Sequence, residues 1–186
     1  MKIDRLFNGL THIANGSYVL EGDLISLETI EVDLDDRFVV KGRVESKESI
    51  IIRRDIKVGN SIKAGNSIEA GNSIEAGRGI KAGCGIKAGN SIEAGLGIEA
   101  GWGIKAGDGI EAGNGIKAGD GIEAGNGIKA GSFISVKKRI FAGISVYLDS
   151  DDCDKSIRCA DFRNGEICYG DLILTGAEDQ IIKTSR

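Results

Sequence analysis

Gly59-Asn60-Ser61-Ile62-Lys63-Ala64-Gly65-Asn66-Ser67-Ile68-Glu69-Ala70-Gly71 opens a run that repeats every six residues as Gly-x-(Ser/Gly)-Ile-(Lys/Glu)-Ala and continues to Gly131. A fixed short period is read before any other feature, because it dictates how the chain covers its apolar residues. A helix would set residues six apart about 600° round its axis and scatter the isoleucines over its surface. A glycine in every hexad would also cost a helix about 1 kcal/mol relative to alanine. In a strand, Ile62 and Ala64 point one way and Lys63 the other. The glycine that follows then makes a corner, for which a positive φ is the expected use of a residue without a Cβ. A hexad cannot cover its own isoleucine, so successive coils must stack. Burial contributes about 1.5–3 kcal/mol per isoleucine, enough to outweigh the glycine entropy.

The apolar column extends beyond the regular repeat. Upstream it holds Ile56, Ile50, Val44, Phe38 and Val32, and downstream Ile134, Ile140 and Val146. Two places later stand Leu34, Val40, Ser46, Ile52 and Val58, then the alanines, then Val136, Ala142 and Leu148. A solenoid is therefore expected over residues 32–148. Ser26 stands where the next apolar residue should be, so residues 1–31 read as an N-terminal cap. Residues 149–186 also leave the column. They read as a C-terminal cap suited to pairing two copies into a homodimer or to holding a partner. An uncapped stack of strands would polymerise through its open edges.

The Ala-Gly-x-(Ser/Gly)-Ile-x frame resembles the hexapeptide-repeat parallel β-helices over residues 32–148. That resemblance implies an all-β, triangular parallel β-helix with three hexads per coil and about six to seven coils, wound left-handed as an exception to the usual crossover rule. The sizes are exchanged relative to the family, with the small residue before the corner and the large one two places earlier. A flatter coil of two hexads is the rival geometry. The signs of the outward Lys and Glu fit both.

Composition excludes several classes. Among 186 residues there are 29 Gly, 28 Ile and no Pro, which rules out collagen-like and Pro-rich disordered chains. With 24 basic and 28 acidic residues, the net charge of −4 gives no field for nucleic acid or an anionic membrane. No apolar run approaches the roughly 18 residues of a membrane span. Asp4 interrupts the start where a signal peptide needs an apolar stretch, so a cytoplasmic protein is expected.

The residues offer little for catalysis. Hexapeptide-repeat acyltransferases use a His on the coils, and the single His of this chain, His12, lies outside the repeat. A non-enzyme is therefore expected, with no catalytic residue. Cys84, Cys153, Cys159 and Cys168 lack close pair spacing and a nearby His, so no zinc site is expected. The acidic run from Asp149 to Asp154 has Asp154 and Ala160 where a calcium loop needs Gly and Glu. The Gly-x-Gly steps lack the Gly-Lys-Ser/Thr and helix of a phosphate loop. No cofactor or metal follows.

Binding is the remaining chemistry. The corner position is mostly Asn or Asp, which tolerate left-handed backbone and bond to nearby main chain. Arg78, Leu96 and Trp102 depart from that rule, and an exposed Trp is a common anchor of protein interfaces. In the C-terminal segment Asp149, Asp151, Asp152 and Asp154 form an acidic turn, with Phe162 and Tyr169 beyond it. These nine residues are the candidates for contact with a protein partner. The Gly-Ile-Lys-Ala-Gly and Gly-Ile-Glu-Ala-Gly arrays look like those of uncharacterised bacterial and phage-borne repeat proteins. That resemblance implies a phage-encoded, anti-CRISPR-like inhibitor of a bacterial defence system. It would occlude a nucleic-acid-processing complex sterically or by charge, without binding nucleic acid itself. The alternative is a polymer-forming structural β-helix of the bactofilin kind, which the expected caps disfavour.

Overall fold

A computed structural model of the chain describes residues 1–143, 154–175 and 180–183. The strands open with β1 (Lys2–Ile3), β2 (Leu10–His12), β3 (Tyr18–Leu20), β4 (Leu24–Ser26), β5 (Ile30–Val32), β6 (Phe38–Val40), β7 (Val44–Ser46) and β8 (Ile50–Ile52). The unit then repeats from β9 (Ile56–Val58) to β19 (Ile116–Ala118), β20 (Gly121–Ala124) and β21 (Ile128–Ala130). The set closes with β22 (Phe133–Ala142), β23 (Ser156–Cys159), β24 (Asp161–Tyr169), β25 (Asp171–Leu174) and β26 (Gln180–Lys183). No helix occurs among the described residues.

Register decides the coil. Ile62 pairs with Ile80, Ile68 with Ile86 and Ile74 with Ile92, all in parallel ladders. Each residue thus stacks on the one eighteen places later, which is three hexads, and the two-hexad coil is excluded. The chain forms a triangular prism of about eight coils, an all-β parallel β-helix. The first face carries β1, β5, β8 and every third strand on to β20; the second carries β4, β7 and on to β19; the third carries β2, β3, β6 and on to β21. In every three-residue strand of the regular array the two outer residues are buried and the middle one is not. Isoleucines from Ile62 to Ile140 are at most 1% exposed, so the predicted apolar column is one continuous interior.

The corner glycines behave differently from expectation. None of the repeat glycines has a positive φ; among the described residues that conformation belongs to Gly9, Gly16, Gly22, Gly143, Gly165 and Gly170. What the repeat glycine provides is close approach. A Cβ on Gly65, Gly83 or Gly119 would fall 1.7–1.8 Å from the carbonyl oxygen eighteen residues earlier. Among the described residues no Asn or Asp is left-handed either. Corner side chains instead bond along the stack: Asn72 Nδ2 donates to Asp55 at 3.2 Å, and Asn66 Nδ2 to Glu48 at 2.6 Å.

The stack begins earlier than Val32. Tyr18 pairs with Phe38, Leu24 with Val44 and Ile30 with Ile50, so β3, β4 and β5 already form a coil. These partners are two residues further apart than elsewhere, because the connection 33–37 between β5 and β6 is longer. Val32 consequently sits opposite Ile52 in the smaller-residue column, and Leu34 fills the widened corner at 1% exposure. The actual N-terminal cover is β1, parallel to β5, and β2, antiparallel to β3. Lys2 reaches Asp33 at 3.1 Å, and Arg5 holds Asp35 in an ion pair. The stack also runs past 148. β23 and β25 continue the third face with Ile157 under Leu172, and β26 ends it antiparallel to β25.

The usual glycine is missing from some corners: Lys41, Lys47 and Arg53 stand at that place in the early coils, one coil before Gly59, Gly65 and Gly71. Lys137 occupies the usual glycine position, and β22 crosses from the second face to the first as a single strand, pairing with β19 and then with β20. β24 follows it with register shifts.

Candidate binding surface

Each prism face has a shallow trough running along the axis. Its floor is the Ser/Gly position before each isoleucine. One wall is the column of corner side chains, and the other is the outward Lys/Glu column. A Cβ on the floor glycines Gly85, Gly97 or Gly103 would meet a carbonyl oxygen at only 3.3–3.6 Å, an ordinary or slightly tight contact. The fold accepts a side chain at Gly85 and Gly103, and Ser67 occupies the equivalent place one coil before Gly85. The hollow is thus a choice of sequence, whereas in the regular array the glycine at corners such as Gly65, Gly83 and Gly119 answers to a carbonyl oxygen too close for a Cβ.

The second and third troughs, of about 450 and 370 Å³, are stopped by side chains. Phe133 lies over Gly115, with the Arg163 guanidinium 4.0 Å from its ring centre. Asp154 covers Gly127 and accepts a 2.9 Å bond from the Ser156 amide. The first-face trough, about 440 Å³, is floored by Gly85, Gly103 and Gly121, with Ser67 and Arg139 at its ends. Trp102 stands on its rim, 63% exposed. Backbone bonds fix that rim: Trp102 donates to Cys84 at 2.9 Å, Asp120 to Trp102 at 2.7 Å and Lys138 to Asp120 at 2.9 Å.

Charges on the walls are largely compensated. Lys105 meets Glu123 at 2.5 Å and Lys138 meets Asp120 at 2.9 Å beside the trough. On the other faces Lys81–Glu99 closes at 3.1 Å and Lys129–Glu111 at 2.7 Å. Exposed pairs of this kind contribute about 0–1 kcal/mol each, so they tune the surface rather than hold the prism. Lys87 and Arg139 line the first trough and have no ion-pair partner among the described residues.

The other candidates fall in separate places. Leu96, 48% exposed, stacks on Arg78 through a 2.8 Å bond from its amide to the Arg78 carbonyl, at a different corner from Trp102. Phe162 packs against the core in the last coil. Tyr169 lies beside Phe141 in register, with the Lys155 ammonium 5.6 Å from its ring centre. Asp149, Asp151 and Asp152 lie outside the described residues, so of the acidic turn only Asp154 is placed. Sequence reasoning singled out Trp102 but missed Lys87, Arg139 and the trough. The signal was the change from Ser to Gly at the floor position.

Among the described residues no three His, Cys, Asp or Glu side chains group as a metal site, and no helix is long and apolar enough to cross a membrane. Burial pushes the Cys159 thiol above its usual range. Comparison with protein-family models, curated proteins and solved structures finds no match. A β-solenoid of this form is compatible with a non-enzymatic binding role and with a structural one.

Proposed function

We propose that this chain is a non-enzymatic binding rod that captures a protein partner through its side faces. The observation that carries the reading is Trp102: a large aromatic, 63% exposed, on the rim of an apolar trough and held by a backbone ladder on both sides. Exposed apolar area of this kind is a marker of an interaction site, and Trp is enriched among anchor residues. Leu96 over Arg78 is a second contact at another corner. The polymer reading is weaker, since antiparallel β2 and β26 finish the third face at its two ends. An antiparallel end strand does not template another parallel coil.

The finer reading is that the partner is a bacterial defence complex that handles nucleic acid, blocked sterically by a phage-encoded rod. Its support is the look of the Gly-Ile-Lys/Glu-Ala arrays. A cytoplasmic location follows from it. The test has two arms. Tagged protein is used to capture partners from bacterial lysate beside the Trp102→Ala variant, and the chain is expressed in cells with active nuclease-based immunity. Capture of a defined complex that is lost in the variant, together with restored phage plating, is the expected result. Capture unaffected by the substitution would remove the Trp102 surface; unchanged plating would remove the defence role.

A further inference from the structure

The first-face trough differs from the other two in a way that specifies an occupant. Its floor is bare at Gly85, Gly103 and Gly121, Trp102 overhangs it, and uncompensated cations stand toward its two ends. Lys87 lies on the outward column of the strand Ile86–Ala88, and Arg139 lies three strands further along the same face, two residues aside in the floor column opposite Gly121, an offset that their long side chains span. With neighbouring strands about 4.8 Å apart, the two cations are separated by about 14 Å along the axis. An extended peptide rises about 3.3 Å per residue, so about four residues cover that distance. Alternate residues of such a peptide share a side. Carboxylates at the first and fifth positions therefore meet Lys87 and Arg139, and the third side chain falls against Trp102.

We propose that this trough binds an extended acidic segment of the partner protein, of the form acidic-x-apolar-x-acidic, lying along the prism axis. The proposal rests on Trp102 being the partner anchor. Single-stranded nucleic acid, the other extended anion, is disfavoured by the net charge of −4 and by Glu69, Asp120 and Glu123 on the trough walls. Those carboxylates would repel a continuous line of phosphates, whereas the two separated carboxylates of the segment reach Lys87, which Glu69 flanks without closing an ion pair, and Arg139, neither of them ion-paired among the described residues.

Trp102 is the only tryptophan, so its fluorescence reports on the site directly. The probe is the blocked peptide Ser-Glu-Ser-Leu-Ser-Glu-Ser, titrated into the full-length protein at low salt. Controls are a version with Lys for Glu, one with the two acids adjacent, and an oligo-dT strand. The expected result is a saturable change with the first peptide alone. It should weaken at least fivefold in Lys87→Glu and in Arg139→Glu, and stay unaltered in Lys47→Glu, another exposed cation. Circular dichroism of each variant guards against loss of fold, and Gly103→Val, which fills the floor, should abolish the response independently. An equal response to the lysine peptide, the adjacent-acid peptide or oligo-dT overturns the proposal, as does no response at all. If the peptide fails while Trp102→Ala still loses partner capture, only the acidic-segment assignment falls. If capture also survives that substitution, the anchor reading falls with it.

Discussion

Replacing Gly83 with alanine, beside the same change at Gly85, tests what the repeat glycine is for. The two residues flank Cys84 in one corner, and neither has a positive φ. A Cβ on Gly83 would sit 1.8 Å from the Gly65 carbonyl oxygen, whereas one on Gly85 would sit 3.5 Å from that of Gly103. Restoring an acceptable contact at Gly83 means parting adjacent coils by about 1.2 Å or more. That movement stretches the 3.1 Å bond from Gly83 to Ala64 and the 3.0 Å bond from Cys84 to Asn66 past useful length. Two lost bonds at about 1 kcal/mol each, with about 1–3 kcal/mol of packing strain, give a cost of about 3–5 kcal/mol. At Gly85 the backbone is already one that alanine adopts, so the smaller unfolded-state entropy should stabilise by about 0.4–1 kcal/mol. Guanidinium unfolding followed by far-ultraviolet circular dichroism reads both. Equal midpoints for the two variants would refute the close-approach argument.

Other outcomes follow from the same structure. Ile92→Ala leaves a void in the sealed interior and should cost about 2–5 kcal/mol in the same unfolding assay. Trp102→Ala should shift stability by no more than about 0.5 kcal/mol, since the side chain is on the surface; a larger loss would make it structural. Asp35 sits below the usual carboxylate range because Arg5 bonds to it, and Asp33 because Lys2 does. A lowered folded-state pKa contributes stability that is fully present above the ordinary value of about 4 and is lost as pH falls through the folded value. Amide protection in β1 should therefore fall on acidification below about pH 4, ahead of the central coils; protection that persists there would rule the ion pairs out as its clamp. Light scattering across a concentration range should show discrete species, and an unlimited series of sizes would favour the polymer.

The hexad was legible because Ile62, Ala64 and Gly65 each serve a separate demand that repeats: fill, fit and approach. Coil size was open because Lys and Glu signs fit two geometries, while backbone pairing admits one. Val32 misled because a valine suits either interior column, and the two extra residues in 33–37 carry no composition that marks an insertion. The last coil was hidden because β24 follows β22 through register shifts, so Phe162 and Ile167 stand five apart where their partners Ile134 and Ile140 stand six apart. Trp102 was recognisable as an anomaly in a column of Asn and Asp. Its trough was not, since a floor exists only when residues eighteen apart are laid side by side.

The equivalence of the three faces has a genetic side. Near-identical hexads invite slippage during replication, and the interior would accept the loss of any one of them. Such a deletion, however, works like turning part of a combination lock by one notch: everything downstream rotates a third of a revolution. Lys105 and Glu123 would then sit over new neighbours, and Arg139 would leave the side on which Lys87 stands. Only gains or losses of a whole revolution keep the sides aligned, so viable length variants should differ in multiples of three hexads.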